Sequence, residues 1–246
     1  MDGSLVVVLL DRSGWGSGAR LLLGGVLLGV AVWLDRRSAG APIKVGDLRN
    51  PLAGSANPLD RWAYRVPDAR AAARADAGLY GAPTLPLLLA LHPRARHNQP
   101  CLADAPVLDY PRLLLIWLEA ILLTFALTSV IKNLANRPRP YVLHPEFPAH
   151  FFLTRKDRAA FLSGHAALAA TGAMLFYHFG LRVAHSRVER ALYAATAIMF
   201  PITTAFLRAR AAKHWPTDVV AGLILGSVTS KLVIKLGDDE GAGKSG

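Results

Sequence analysis

Apolar residues along the chain gather in blocks of helix length, with polar connections between them. The clearest block covers residues 113–130, which have the length and apolar content of an ordinary transmembrane helix. Another covers residues 19–34, and three more follow toward the C-terminus at residues 159–181, 191–206 and 217–236. The pattern predicts an all-α fold, a polytopic bundle of membrane helices.

One further block, residues 79–93, is short and contains Pro83 and Pro86. It can cross a membrane only if the alanine-rich segment before it joins the same helix. With this block, the prediction is about six transmembrane helices. The count falls to five if block 19–34 is the apolar region of a signal peptide cleaved near Ala41, an alternative to the uncleaved helix that we favour.

Residues 35–78 separate the first block from the rest and form a polar segment. They include eight Lys or Arg residues, five Asp residues and four prolines, which predicts a loop. The end of this segment, residues 60–78, carries aromatic residues among alternating charges, so we expect an interfacial helix there. We interpret residues 1–246 as a single membrane domain with a catalytic core at residues 113–236.

The composition favours a membrane protein over a nucleic-acid-binding protein. Hydrophobic residues make up 52% of the chain and the formal net charge is +11. The basic residues lie between apolar blocks, however, and form no recognisable nucleic-acid motif. Cys101 is the single cysteine, and no Cys or His cluster has the spacing of a zinc site. We therefore expect no nucleic-acid partner, no metal and no cofactor, and we infer no protein partner.

Polar residues of chemical interest gather at one end of the predicted bundle. Successive connections alternate between the two sides of a membrane, so the connections at residues 132–158 and 207–216 lie on the same side. Block 159–181 also begins on that side. Eight residues near these helix ends form the predicted site: Lys132, Arg139, Ser163, Gly164, His165, Arg208, His214 and Asp218.

The residue types at this end suit a phosphate group. Lys132, Arg139 and Arg208 keep their positive charge and supply donors that match phosphate oxygens. A helix that starts at Ser163 and Gly164 adds free N–H groups and the positive end of a helix dipole. Together these features predict an anion site.

Two histidines allow phosphoryl transfer without a metal, one as nucleophile and one as proton donor. His214 and Asp218 are four residues apart and are expected to form a hydrogen bond if that segment is helical. The carboxylate would fix the tautomer of His214 and leave its other nitrogen free to attack phosphorus. His165 would protonate the leaving alkoxide.

These residues resemble the three motifs of the type 2 phosphatidic acid phosphatase superfamily, which is related to the vanadium haloperoxidases. The motifs are K-x6-RP, PSGH and SR-x5-H-x3-D. They are matched in order by Lys132, Arg139 and Pro140, by Ser163, Gly164 and His165, and by Arg208, His214 and Asp218. Two positions depart from the motifs, because Leu162 replaces the usual Pro and Leu207 the usual Ser. The resemblance covers roughly residues 113–236.

The resemblance implies a six-helix membrane phosphatase that needs no metal. In such an enzyme His214 would form a phosphohistidine, with Asp218 orienting it. His165 would act first as acid and then as base, while the cations and helix-start amides named above hold the phosphate oxygens. Leu207 is expected to weaken one phosphate contact, and Leu162 to loosen the turn before the helix.

A site at the lipid interface suits an amphiphilic phosphate. Candidates are phosphatidate, phosphatidylglycerophosphate, a phosphorylated lipid A and an isoprenyl diphosphate; undecaprenyl diphosphate is our first specific expectation. The expected partners are thus a lipid phosphate and the bilayer. The positive-inside rule places the site on the periplasmic or outer face of a bacterial inner (plasma) membrane.

Four other interpretations stay open at this point. A lipid phosphotransferase would use the same histidine intermediate. A non-catalytic protein that binds lipid phosphates would tolerate loss of His214. A transporter would carry charges along several helices rather than at one end, and a haloperoxidase would be soluble, which the apolar blocks argue against.

Overall fold

The computed structural model describes residues 16–37, 43–52, 57–63, 65–92 and 110–242. Cys101 and the segment around Ala41 lie outside these residues. Seven α-helices occur within the described ranges. They are α1 (Ser17–Arg37), α2 (Val45–Leu52), α3 (Ala69–Leu88), α4 (Tyr110–Ala135), α5 (Gly164–Val183), α6 (Arg187–Arg210) and α7 (Pro216–Ala242). The predicted all-α fold is confirmed.

Five segments of the described chain are long and apolar enough to cross a membrane. They are Ser17–Arg37, Tyr110–Leu143, Gly164–Val183, Arg187–Arg210 and Pro216–Asp238. They correspond to five of the six blocks in the hydrophobic pattern, which supports the interpretation of the fold as a membrane helix bundle. The sixth block belongs to α3, which is 20 residues long.

Helix α3 begins well before its apolar block, as a spanning helix there requires. Asp68 caps its first turn by accepting a hydrogen bond from the backbone N–H of Ala71 at 3.0 Å. The alanine-rich segment therefore joins the residues around Pro83 and Pro86 in one continuous helix. Of the polar segment at residues 35–78, residues 69–78 thus belong to the same helix as the apolar block that follows, where we expected an interfacial helix over 60–78. Helix α2 and a short turn at Asp60–Ala63 also lie within this segment.

Helix α5 lies at the centre of the bundle and packs against α3, α4, α6 and α7. Its contact with α7 depends on two glycines one helical turn apart. A Cβ atom on Gly222 would lie 2.4 Å from the carbonyl oxygen of Ser163, and one on Gly226 would lie 2.0 Å from that of Ala167. Only glycine permits this approach, which brings the first turns of α5 and α7 together.

A buried ion pair joins α1 to α4. The guanidinium Nε of Arg20 lies 2.7 Å from Oε2 of Glu119, and both side chains are almost fully buried. An ionisable group inside a membrane helix is expected to face protein, and Glu119 does so. The pair fixes the rotation of α1 against the rest of the bundle.

The end of the bundle that carries the motifs is covered by a small apolar cluster, which we call the end cluster. Its buried members are Val45, Ala63, Val142, Leu143, Leu153, Ala160 and Trp215. Two backbone hydrogen bonds tie the segment before α2 to the loop between α4 and α5, from Val45 to Phe151 and from Leu153 to Ile43, each 3.0 Å long. The cluster therefore holds the connecting segments in place around the site.

Candidate active site

The structure brings the predicted site residues to one end of the bundle. Lys132 lies in the last turn of α4 and Arg208 in the last turn of α6. Ser163 precedes α5, and Asp218 lies in the first turn of α7. Lys132 packs against the start of α5, where a Cβ atom on Gly164 would lie 3.2 Å from its Nζ.

His214 lies in the short connection between α6 and α7 and is fully buried. Its Nδ1 atom lies 2.7 Å from the carbonyl oxygen of Ala160. Because a carbonyl can only accept, Nδ1 carries the hydrogen and Nε2 carries the lone pair. Nε2 is buried and has no hydrogen-bond partner among the described residues. His214 therefore presents an unshared nucleophilic nitrogen.

The charge state of His214 is set by its surroundings. Burial lowers its pKa well below the ordinary value of 6.5, and the positive charges of Arg139, Lys132 and Arg208 lower it further. The three predicted phosphate-binding cations thus act together on one imidazole. The ring stays neutral near pH 7, as a nucleophile must.

Asp218 does not form the predicted hydrogen bond with His214. Its Oδ2 lies 3.9 Å from Nδ1 of that ring, which is beyond hydrogen-bond range. The expectation assumed a helix through both residues, but α7 begins only at Pro216. Oδ2 instead accepts the backbone N–H of Trp215 at 2.9 Å, so Asp218 holds the backbone next to His214.

Arg137 and Asp60 complete a network that the motifs do not contain. Arg137 donates to Oδ1 of Asp218 at 2.5 Å and to Asp60 at 2.8 Å. Asp60 is buried and also accepts the backbone N–H of Thr217 at 3.0 Å. The segment before α3 therefore anchors the first turn of α7, and Arg137 is occupied by two carboxylates.

Ser163 caps α5 rather than offering its own amide to a ligand. Its side-chain oxygen accepts the N–H of Ala166 at 3.4 Å, and its backbone N–H donates to the carbonyl of Asp218 at 3.0 Å. The prediction that this amide holds a phosphate oxygen is not met in this structure. Gly164 and His165 stand in the first turn, where amides have no intrahelical acceptor, so they retain that capacity.

Arg139 and Arg208 carry buried donors that no group in the described ranges accepts. The Nε atoms of both side chains are buried without a hydrogen-bond partner in the described part of the chain. Buried polar atoms are rarely left unpaired unless a ligand, ion or water completes them. Together with Nε2 of His214, they indicate the place where an anion would bind.

His165 has a partner that sequence analysis missed. Its Nε2 lies 2.8 Å from Oδ1 of Asp76, a residue of α3, and the same oxygen lies 3.1 Å from Nη1 of Arg208. The general acid predicted from the motifs is therefore in contact with a carboxylate from another helix.

Lys213 adds a further cation beside the site. Its Nζ lies 4.6 Å from the centre of the Tyr141 ring. Burial and the charges of Arg139 and Arg208 lower the pKa of Lys213. Its position next to His214 in the sequence is the one signal that would have suggested it.

The C-terminal half of the chain matches a known protein family. The family model of the PAP2 superfamily matches residues 113–241, just over half of the chain. No curated protein and no solved structure matches the chain. The matched range contains all eight predicted site residues but neither Asp60 nor Asp76.

Proposed function

The chain belongs to the PAP2 superfamily, and from that premise we propose that it hydrolyses the phosphoester or diphosphate bond of a membrane lipid through a phosphohistidine at His214. Phosphatase-type activity on phosphate esters is the general property of the family. The observation that supports the specific mechanism best is the unshared, buried Nε2 of His214 among three cations.

The first step is attack of His214 Nε2 on phosphorus. The N–P bond forms as the P–O bond to the lipid breaks, and His165 gives its proton to the leaving oxygen. The bond from His214 Nδ1 to the Ala160 carbonyl holds the ring in the tautomer that attack requires. As the ring becomes positively charged on phosphorylation, the carboxylate of Asp218 at 3.9 Å stabilises it.

The second step releases inorganic phosphate. His165, now neutral, takes a proton from a water molecule, which attacks phosphorus and breaks the N–P bond. Lys132, Arg139 and Arg208 hold the phosphate oxygens in both steps. Their charges stabilise the transition state, in which negative charge spreads over these oxygens. The reaction so written requires no metal ion.

An apolar groove supports a lipid rather than a soluble substrate. It lies between α3 and α6 and has a volume of about 500 Å³. Its lining includes Ala77, Gly78, Met199, Phe200 and Leu207. Its lining extends to Arg74 in the first half of α3 and to Leu207 in the last turn of α6, so the groove reaches the end of the bundle that carries the motifs. A hydrocarbon chain in the groove would therefore bring its phosphate to the cations.

The groove also explains why a leucine can stand at position 207, where the motif has a serine. A serine there would offer a hydroxyl, whereas Leu207 presents an apolar side chain to the groove. We expect a weaker phosphate contact and a stronger contact with the lipid chain. Among the candidate substrates, an isoprenyl diphosphate such as undecaprenyl diphosphate suits this balance, since its second phosphate can meet Lys213.

The site is proposed to face the periplasm or its equivalent. Arg112 and Arg182 lie at the end of the bundle opposite the motifs, and Arg187 begins α6 at that end. Basic residues in short connections favour the cytoplasmic side. A cytoplasmic location for that end puts His214 on the outer side of a bacterial inner membrane.

The test is phosphate release from defined lipids by purified protein in detergent. Phosphatidate, phosphatidylglycerophosphate and undecaprenyl diphosphate would each be assayed with and without EDTA, beside His214→Ala. We expect release from at least one lipid that survives EDTA and is lost in the variant. If folded protein releases phosphate from none of them, the hydrolase proposal is wrong, and transfer to a lipid or sugar acceptor would be assayed next.

A further inference from the structure

Asp76 places a negative charge where the proposed reaction needs a phosphate. Its Oδ1 atom lies 2.8 Å from Nε2 of His165 and 3.1 Å from Nη1 of Arg208. Asp76 comes from α3, which lies outside the three motifs and outside the range matched by the family model. One oxygen atom of Asp76 thus contacts both the predicted proton donor, His165, and a predicted phosphate-binding cation, Arg208.

The fold holds Asp76 at this point. Ala75 and Gly78 of α3 are buried against the bundle, and a Cβ atom on Gly78 would lie 2.3 Å from Oγ1 of Thr204 on α6. Only glycine permits this close packing of α3 against α6. Asp76 stands at the edge of the buried face, where its carboxylate reaches into the site.

The carboxylate itself is open to solvent. Its side chain is 52% exposed, whereas that of Arg208 is 7% exposed. The other acid of the site, Asp218, is fully buried and bonded to Arg137 and to the Trp215 amide. Of these two carboxylates, that of Asp76 can turn into solvent without being buried unpaired itself, and the buried guanidinium of Arg208 then requires another anion.

The observed contacts are incompatible with the proposed reaction. When substrate is bound, Arg208 holds a phosphate oxygen and His165 gives its proton to the leaving oxygen. Asp76 occupies Nε2 of His165 and Nη1 of Arg208 and leaves only Nε of Arg208 unused, and its charge repels an incoming phosphate. A phosphate can therefore occupy the site fully only after the carboxylate has left it.

We propose that Asp76 is a competing anion built into the substrate-free site, which binds His165 and Arg208 and is exchanged for the phosphate of the substrate. This inference rests on the proposed function. Its consequence is selectivity, because inorganic phosphate must displace the carboxylate with its own contacts alone. A lipid phosphate adds the binding of its chain in the α3–α6 groove. The product phosphate is released for the same reason.

The experiment measures anion affinity in Asp76→Asn and Asp76→Ala. Dissociation constants of inorganic phosphate and orthovanadate would be determined by calorimetry on detergent-purified protein, together with KM for a hydrolysed lipid. We expect both anions to bind about tenfold more tightly in the variants, and KM to fall, because a like charge has been removed. Asp76→Asn keeps the shape of the side chain and guards against loss of folding, which a melting curve would show.

Glu189→Gln is the matched control. Glu189 lies in the first turn of α6, at the end opposite Arg208, and its side chain accepts the backbone N–H of His185. Its replacement removes the same charge far from the site and is expected to leave the anion dissociation constants unchanged. A similar gain in anion affinity in Glu189→Gln would show that the effect of the Asp76 variants comes from net charge alone, and would overturn the inference.

Two results would contradict the proposal directly. Unchanged or weaker anion binding in the Asp76 variants shows that the carboxylate does not compete. A large fall in kcat with a shifted pH profile and no gain in affinity identifies Asp76 as a residue that positions His165. The two proposals fail separately, because anion binding requires no turnover. Absence of lipid hydrolysis refutes the proposed function, whereas tighter anion binding by the Asp76 variants still shows that the carboxylate competes for the anion site.

Discussion

His214 donates its Nδ1 hydrogen to the carbonyl oxygen of Ala160 across 2.7 Å. A backbone carbonyl does not titrate, so the bond fixes the same tautomer wherever the ring is neutral. Asp218, whose Oδ2 lies 3.9 Å from Nδ1 of His214, therefore has two other roles. It places a negative charge beside the ring and holds the backbone of Trp215. Tautomer and charge are therefore controlled by different groups.

This division predicts that Asp218 is less essential than His214. Asp218→Asn removes the charge but keeps the size of the side chain and leaves the Ala160 bond intact. We expect Asp218→Asn to retain roughly 100-fold more activity than His214→Ala, since supporting residues cost less than the nucleophile. The measurement is kcat for one lipid on protein of verified melting temperature. Equal losses would show that the carboxylate orients His214 after all.

The lowered pKa of His214 predicts the acidic limb of the pH profile. Protonation of the ring abolishes the nucleophile, so kcat/KM falls as the pH drops through the pKa of the free enzyme. That pKa lies below 6.5 because of burial and the charges of Arg139, Lys132 and Arg208. We therefore expect the limb to lie below the range of an ordinary histidine.

Replacing one cation should move that limb upward. Arg208→Met removes a charge that opposes protonation, so the limb shifts toward 6.5, whereas Arg187→Met, at the opposite end of α6, leaves it in place. A limb that stays fixed in Arg208→Met would refute the electrostatic account. The contribution of His214 to the free energy of unfolding depends on pH in the same direction. It is fully present above about pH 6.5 and decreases at lower pH, because the unfolded chain takes up the proton first.

Arg137 is predicted to act in stability rather than in substrate binding. Arg137→Met leaves Asp60 and Asp218 buried without their cation, which is expected to destabilise the protein by about 3–5 kcal/mol. The control is Arg210→Met, because the pair between Arg210 and Asp68 is exposed and such pairs contribute only about 0–1 kcal/mol. Thermal unfolding in detergent measures both. A stable Arg137→Met protein with a raised KM would instead make Arg137 a substrate contact.

The groove predicts a dependence on lipid chain length. Thr203 lines it on α6, and Thr203→Trp would fill part of its volume. We expect kcat/KM to fall about tenfold for a long-chain lipid and to change little for a dioctanoyl analogue. Thr84→Trp, on an exposed position of α3 away from the groove lining, is the control. Equal effects on both chain lengths would exclude the groove as the chain site.

Much of the fold, and the gathering of the predicted site residues at one end of the bundle, could be predicted, because both depend on local pattern. Helix-length apolar blocks fix where the membrane helices lie, and alternation of sides brings Lys132, His165 and Arg208 to one end. The short block at residues 79–93 was expected to cross a membrane only if the alanine-rich segment joined it, and in α3 that segment does continue into the residues around Pro83.

The partners of these residues could not be predicted, because they come from distant parts of the chain. Ala160 is 54 residues from His214, and Asp76 is 89 residues from His165. No spacing motif encodes a backbone carbonyl or a side chain on another helix. The sharp turn that brings His214 back to the site also has no sequence signal, because Ala212 adopts a φ of 53° without being glycine.

The central claim is that phosphate passes through a covalent bond to His214. The most direct test is a single-turnover reaction with lipid carrying ³²P in its phosphate, quenched in base to preserve a phosphoramidate, followed by detection of label on the protein. The account predicts transient label on wild-type protein, located at His214 by mass spectrometry, and none on His214→Ala. Hydrolysis by wild-type protein without any labelled intermediate, or label that persists in His214→Ala, would contradict it.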